Sequence, residues 1–141
     1  MAADQAEKLR TLKPASIDWA QIAEELEETA ASIRHALVSD LVVVLHHLLK
    51  LQYESSSDEW RGRSRTWKLH AAVHRNRVID ILEESKSLPN RFDEFVRKAY
   101  PRARRQAAIE TGHKESRYRD TCPWSAAQIL DAKFFPEPFK S

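Results

Sequence analysis

From Asp18 to Leu51 the chain holds neither glycine nor proline, and apolar residues recur every three or four positions throughout. Trp19, Ile22, Ala23, Leu26, Ala30, Ile33, Leu37, Leu41, Val44, Leu45, Leu48 and Leu51 follow the period of a helix. A straight helix of that span is on the order of 50 Å long. Asp18 is placed to cap its start, with Gln21 three residues on as the reciprocal partner. Ala30 to Ser32 and Ser39 are where it could bend. Toward its end the apolar set widens to Leu41, Val42, Val43, Val44, Leu45, Leu48 and Leu49. A helix apolar nearly all round is buried, in the middle of a domain or at a subunit interface.

The remaining sequence narrows the class further. Only two glycines occur, Gly62 and Gly112. An all-β sandwich or barrel needs turn residues about every 8–12 positions, and a dinucleotide fold or P-loop needs a glycine-rich loop. Neither can be built from this chain. The single cysteine, Cys122, excludes an internal disulfide and any multi-cysteine zinc site. At 141 residues, 42% of them hydrophobic, the chain is the size of one domain with a real core. No apolar run reaches the roughly 18 residues of a membrane span, and no signal-peptide apolar region opens the chain. The expectation is a soluble, cytoplasmic protein with no membrane association.

The fold expected is all-α: a single domain over residues 1–141, a compact bundle of four to five helices around the long amphipathic one. Ala2 to Leu12 reads as a first helix, with Ala6, Leu9 and Leu12 on one side and Pro14 ending it. Glu54 to Asp58 reads as a polar loop. A third helix covers roughly Arg63 to Ser85, with Ser64 as N-cap and Trp67, Ala71, His74, Val78, Ile81 and Leu82 on one face. Ser87 is placed to cap a fourth, with Pro89 in its first turn. Phe92, Phe95, Val96, Ala99, Ala103 and Ala107 form its stripe and Gly112 its stop. Pro101, inside that pattern, predicts a kink or a break. Ser125 and Gln128 form a capping box for a short helix to Asp131, and Phe134, Phe135 and Phe139 predict a carboxy-terminal strap.

Several stretches, taken together and in order, are specific: Asp18-Trp19, Ala23-Glu24-Glu25-Leu26, His47-Leu48-Leu49-Lys50-Leu51-Gln52-Tyr53, Arg63-Ser64-Arg65-Thr66-Trp67, Ser87-Leu88-Pro89, Tyr100, Glu110-Thr111-Gly112, Cys122-Pro123-Trp124 and Gln128-Ile129-Leu130-Asp131. In these the chain resembles the bacterial domain-of-unknown-function family 29. The resemblance implies a compact α-helical domain with no established activity. Ala31 stands where glycine is common in that family, which favours an unbroken second helix here.

Function is argued mainly from charge. Between Ser16 and Ala30 there are five acids (Asp18, Glu24, Glu25, Glu27, Glu28) and no base. Between Arg61 and Arg77 there are six bases and no acid, and between Arg97 and Arg119 eight bases against Glu110 and Glu115. A net charge of +2 conceals this segregation. One reading is a nucleic-acid interface, with Arg61, Arg63, Arg65, Lys68, Arg75, Arg102, Arg104 and Arg105 on phosphates and Trp60, Trp67, Tyr100 and Tyr118 stacking on bases. The other pairs the acidic helix with a basic neighbour, within the chain or across a dimer. The small net charge favours the second, since dedicated nucleic-acid domains are more basic.

His70 and His74 share a helix face, and His47 could add a third nitrogen, which makes His47, His70 and His74 the candidate metal ligands of a metal-dependent enzyme. No His-Glu-x-x-His and no repeated Glu-x-x-His supports it, and hydrogen-bonded core histidines are the ordinary alternative. Glu24 and Arg65 are a candidate polar pair between helices. Cys122, before Pro123, reads as a small residue buried where the tail packs. No catalytic signature is complete and no cofactor is expected. The leading expectation is a non-enzymatic helical interaction module, a homodimer burying Leu41, Val44, Leu45 and Leu48 or a module binding a protein partner.

Overall fold

A computed structural model describes residues 17–140, so the helix expected over Ala2 to Leu12 and its end at Pro14 lie outside the described residues. Four α-helices follow in order: α1 Trp19–Tyr53, α2 Ser64–Glu84, α3 Phe92–Thr111 and α4 Ala126–Leu130. Two 3₁₀ turns, Pro89–Arg91 and Glu115–Arg117, flank α3. There is no strand among the described residues, and the fold is all-α.

Helix α1 runs unbroken for 35 residues, through both places where a bend was open. Asp18 Oδ1 accepts the Gln21 backbone N–H at 3.0 Å, the cap read from sequence. By packing, the chain divides inside this helix, into a unit over Met1–Arg34 and one over His35–Ser141. In the first unit the apolar stripe of α1 stands open: Trp19 is 57%, Leu26 66% and Ile33 37% exposed.

The second unit holds the core. Leu37, Leu41, Val44, Leu45, Leu48 and Leu49 are fully buried and cluster with Trp67, Val78 and Leu82 of α2, with Phe92, Phe95, Ala99 and Ala103 of α3, and with Tyr118, Trp124 and Ile129. The widening of the apolar set in α1 therefore reflects burial by this chain's own helices. Leu41, Val44, Leu45 and Leu48, expected at a subunit interface, have no surface left for a partner. Part of this helix is also apolar enough, by length and composition, to cross a membrane, but half of that window lies inside the fold.

Local signals behave unevenly. The capping box of α4 forms: the Gln128 N–H donates to Ser125 Oγ at 3.1 Å and the Ser125 N–H to Gln128 Oε1 at 2.9 Å. Ser64 does not cap α2. The backbone is already helical at Arg63, which takes the cap position and leaves Ser64 as the first helical residue. Ser87 does not cap α3 either. Leu88, buried in the core, occupies the position before Pro89, which opens a 3₁₀ turn that leads into α3. Pro101 neither breaks nor ends α3. It sits on the exposed face of the helix, as does Arg97 four residues earlier.

Gly112 ends α3 in the left-handed region, at φ 74°, with open space where a Cβ would stand. Gly112→Ala is therefore expected to cost about 1 kcal/mol through backbone strain alone, with no steric clash. Urea denaturation checks this. Beyond α4 the tail lies across the bundle as a strap. Phe134 and Phe135 pack on the core, the Phe139 N–H donates to the Gln52 carbonyl at 2.8 Å, and its ring meets Tyr53 edge-on at 4.9 Å.

Candidate functional site

The end of α1 would be apolar all round were it not for His46, His47 and Lys50, each about 95% buried. Polar groups at that depth need partners. Glu110, the last residue but one of α3, supplies the principal one. Lys50 Nζ donates to Glu110 Oε2 at 3.2 Å and lies 5.1 Å over the Trp67 ring. His46 Nδ1 donates to the Val42 carbonyl at 3.2 Å. Its Nε2 is 2.9 Å from Glu110 Oε2, without the alignment of a hydrogen bond.

The His46 and His47 ring centroids are 4.1 Å apart, and the His70 ring meets His47 edge-on at 5.2 Å. His47 Nδ1 has no hydrogen-bond partner among the described residues. Burial, and then the neighbouring Lys50 charge, holds His46 down to about 4. Burial, with His46 and Lys50 next in weight, holds His47 down to about 2. Burial also pulls the Lys50 ammonium below its ordinary value, with Glu110 opposing. Farther along the same seam His74 Nδ1 lies 2.7 Å from Asp40 Oδ1, with Arg77 Nη1 3.8 Å from the same oxygen. A line of polar side chains thus joins α1, α2 and the end of α3.

These contacts correct the metal reading. Neutral imidazoles are good ligands, but His47, His70 and His74 do not aim at one point. The His47 and His70 rings stand at 74° in a T-shaped contact, and His74 is turned onto Asp40. Among the described residues no group of three His, Cys, Asp or Glu side chains converges to hold a metal ion.

A second polar knot went unread in the sequence, where Glu54 was placed in a polar loop. Glu54 follows α1 directly and is 1% exposed. It accepts from Arg117 Nε at 2.8 Å and Nη2 at 3.0 Å, and from Tyr118 Oη at 3.1 Å. His113 Nε2 lies 3.1 Å away. Tyr118 Oη is in turn 2.9 Å from Thr111 Oγ1, which donates to the Ala107 carbonyl. This forked contact ties the end of α1 to the end of α3 and the turn that follows. It fills the role expected of Glu24 and Arg65, which are both exposed and lie in different units.

The basic candidates separate by depth. Arg63, Arg65, Lys68 and Arg102 are exposed. Arg61 is exposed and pairs with Asp58 at 2.8 Å. Arg104 is folded onto the Glu115 carbonyl at 2.8 Å and Asp120 at 3.3 Å, and Arg105 lies 3.8 Å from Glu115. Arg75 is 1% exposed, so it is not one of the outward-facing bases. Nor can Trp67, Tyr100 and Tyr118 stack on bases, because all three are core residues, while Trp60 is half-buried. Tyr100 donates to the Arg119 carbonyl at 2.6 Å. Cys122 is half-buried, with Sγ 3.6 Å from the Trp124 carbonyl, and burial pushes its thiol up.

Fold and site together define an all-α domain wrapped round the buried polar end of one long helix. The model of the family described as Domain of unknown function DUF29 matches residues 2–135, and the chain belongs to that family. No curated protein and no solved structure matches the chain.

Proposed function

We propose that this protein is a non-enzymatic helical interaction module that self-associates through the amino-terminal half of α1. One observation carries the reading. Trp19, Leu26 and Ile33 stand exposed at seven-residue intervals, which places three large apolar side chains on one line along the helix. A line of large apolar side chains left open along one helix is a seam that another helix can cover.

The partner surface follows from charge. Asp18, Glu24, Glu25, Glu27 and Glu28 flank the line, so two such arms laid side by side would repel each other. Helix α2 offers the complement. Arg65, Leu69, Val73 and Arg77 recur every four residues on one face, Leu69 is 61% and Val73 43% exposed, and no acid lies between Arg61 and Arg77. Apolar would meet apolar and acid would meet base if the arm of one copy seats on α2 of a second.

Leu26→Glu is expected to weaken self-association at least tenfold while leaving the circular dichroism spectrum unchanged, because Leu26 contributes little to the core. Leu69→Glu, on the opposing surface, is expected to do the same. Size-exclusion chromatography with light scattering reads both. Undiminished association of the two variants would contradict the reading.

A further inference from the structure

Arg75 is a buried cation with no ion-pair partner among the described residues. It lies on the face of α2 turned toward the tail, where Nε donates to the Ile129 carbonyl at 2.7 Å. Nη1 and Nη2 are both buried and have no hydrogen-bond partner among the described residues. A guanidinium stays charged at any ordinary pH, and buried charges are normally paired.

What faces the guanidinium is the strap. The Phe135 ring lies 5.3 Å from Arg75 Cζ, and the same ring takes Lys68 Nζ at 5.5 Å. Lys68 and Arg75 are seven residues apart on α2, so two cations share one aromatic ring. Asp131 is the acid whose field reaches Arg75, but it is exposed and its Oδ1 accepts the Lys133 N–H at 2.9 Å. An aromatic face attracts a cation but does not satisfy the N–H bonds of a guanidinium fork.

We propose that Arg75, with Lys68, is the receptor for a phosphate group, admitted when Phe135 and the strap around it lift. With Nε held on Ile129, the fork offers Nη1 and Nη2 together, the arrangement that binds two oxygens of one oxyanion. Two cations match a dianion better than the single charge of a carboxylate. Elsewhere along the strap a cleft of about 300 Å³ is bordered by Trp124, Gln128, Phe134 and Pro136.

The test is thermal unfolding of the full chain near neutral pH in inorganic phosphate, in glycerol phosphate, in acetate and in chloride, all at one ionic strength. Phosphate is expected to raise the Tm by several degrees in a saturable way, above acetate and chloride. A larger shift with glycerol phosphate assigns the site to a phosphate carried on a larger molecule, and a larger shift with the inorganic ion assigns it to the free ion. Arg75→Met is expected to abolish the shift while keeping its Tm in chloride within about 4 °C of the parent, since it removes a buried charge that lacks a partner. Lys68→Met, at an exposed position, is expected to weaken phosphate binding several-fold with the fold intact. Hydrogen exchange of residues 132–139 is expected to quicken in phosphate. An unresponsive parent protein would overturn the proposal. So would a shift retained in both variants, or an Arg75→Met protein that melts far below the parent in chloride.

Discussion

Arg117→Met is expected to destabilise the fold by about 3–5 kcal/mol, and Glu54→Met by clearly less. The two residues form one forked pair, but they are not buried alike: Glu54 is 1% exposed, whereas the Arg117 side chain is 39% exposed. Removing the guanidinium leaves a carboxylate in the interior with only Tyr118 and His113 beside it. That charge must then rest on these two groups alone or take up a proton, and either is costly. Removing the carboxylate leaves a guanidinium that can turn to water, and methionine fills the vacated volume. Since whole domains are stable by about 5–15 kcal/mol, Arg117→Met stands near the edge of folding. Urea denaturation of both variants measures the difference. Equal losses would mean that the knot stabilises by packing alone.

The second large effect is with acid. His46 and His47 are held neutral in the folded chain, at about 4 and about 2, against about 6.5 when unfolded. As pH falls below about 6.5 the unfolded chain binds two protons that the folded chain refuses, so stability falls with pH. It is fully present above that value. It declines by about 3 kcal/mol per pH unit while both sites differ, and below about pH 4 only His47 continues the decline. By pH 5 the accumulated loss is on the order of 4 kcal/mol. His47→Leu removes one of the two protons and leaves no partner stranded, because His47 Nδ1 has none among the described residues. Its stability is expected to fall about half as steeply between pH 6 and pH 5. A parent slope near zero, or a slope that His47→Leu leaves untouched, would contradict the neutral pair.

Periodicity made the helices legible because each buries a stripe, and a stripe recurs at a fixed interval. The limits of α1, the capping box of α4, the stop at Gly112 and the strap at Phe134 to Phe139 all followed from local chemistry. Ser64 and Ser87 do not cap the helices their positions suggested, and no break occurs at Pro101. Leu88, anchored in the core, takes the position before Pro89 from which the chain enters α3. Leu41, Val44, Leu45 and Leu48 show a different limit. An apolar surface says that something covers it, and here the cover is the same chain.

The sites were less legible, because charge composition does not say which way a side chain points. Arg75 was counted among the outward bases, yet Ala71, Arg75, Val78 and Leu82 fall on one face at spacings of four, three and four. That register was the available signal of its burial. Glu54 likewise continues the buried line of Leu48 and Leu51 by one turn. No comparable signal linked Glu110 to Lys50 or Asp40 to His74. Those contacts join residues far apart in sequence and depend on how the helices pack.

Self-association through the open half of α1 is tested most directly by the solution mass of the full chain, from sedimentation equilibrium at rising concentration to about 100 µM. The account predicts a transition to twice the mass of one chain, weakening as salt screens the acidic arm from its basic seat. A single-chain mass at every concentration and every salt would contradict it.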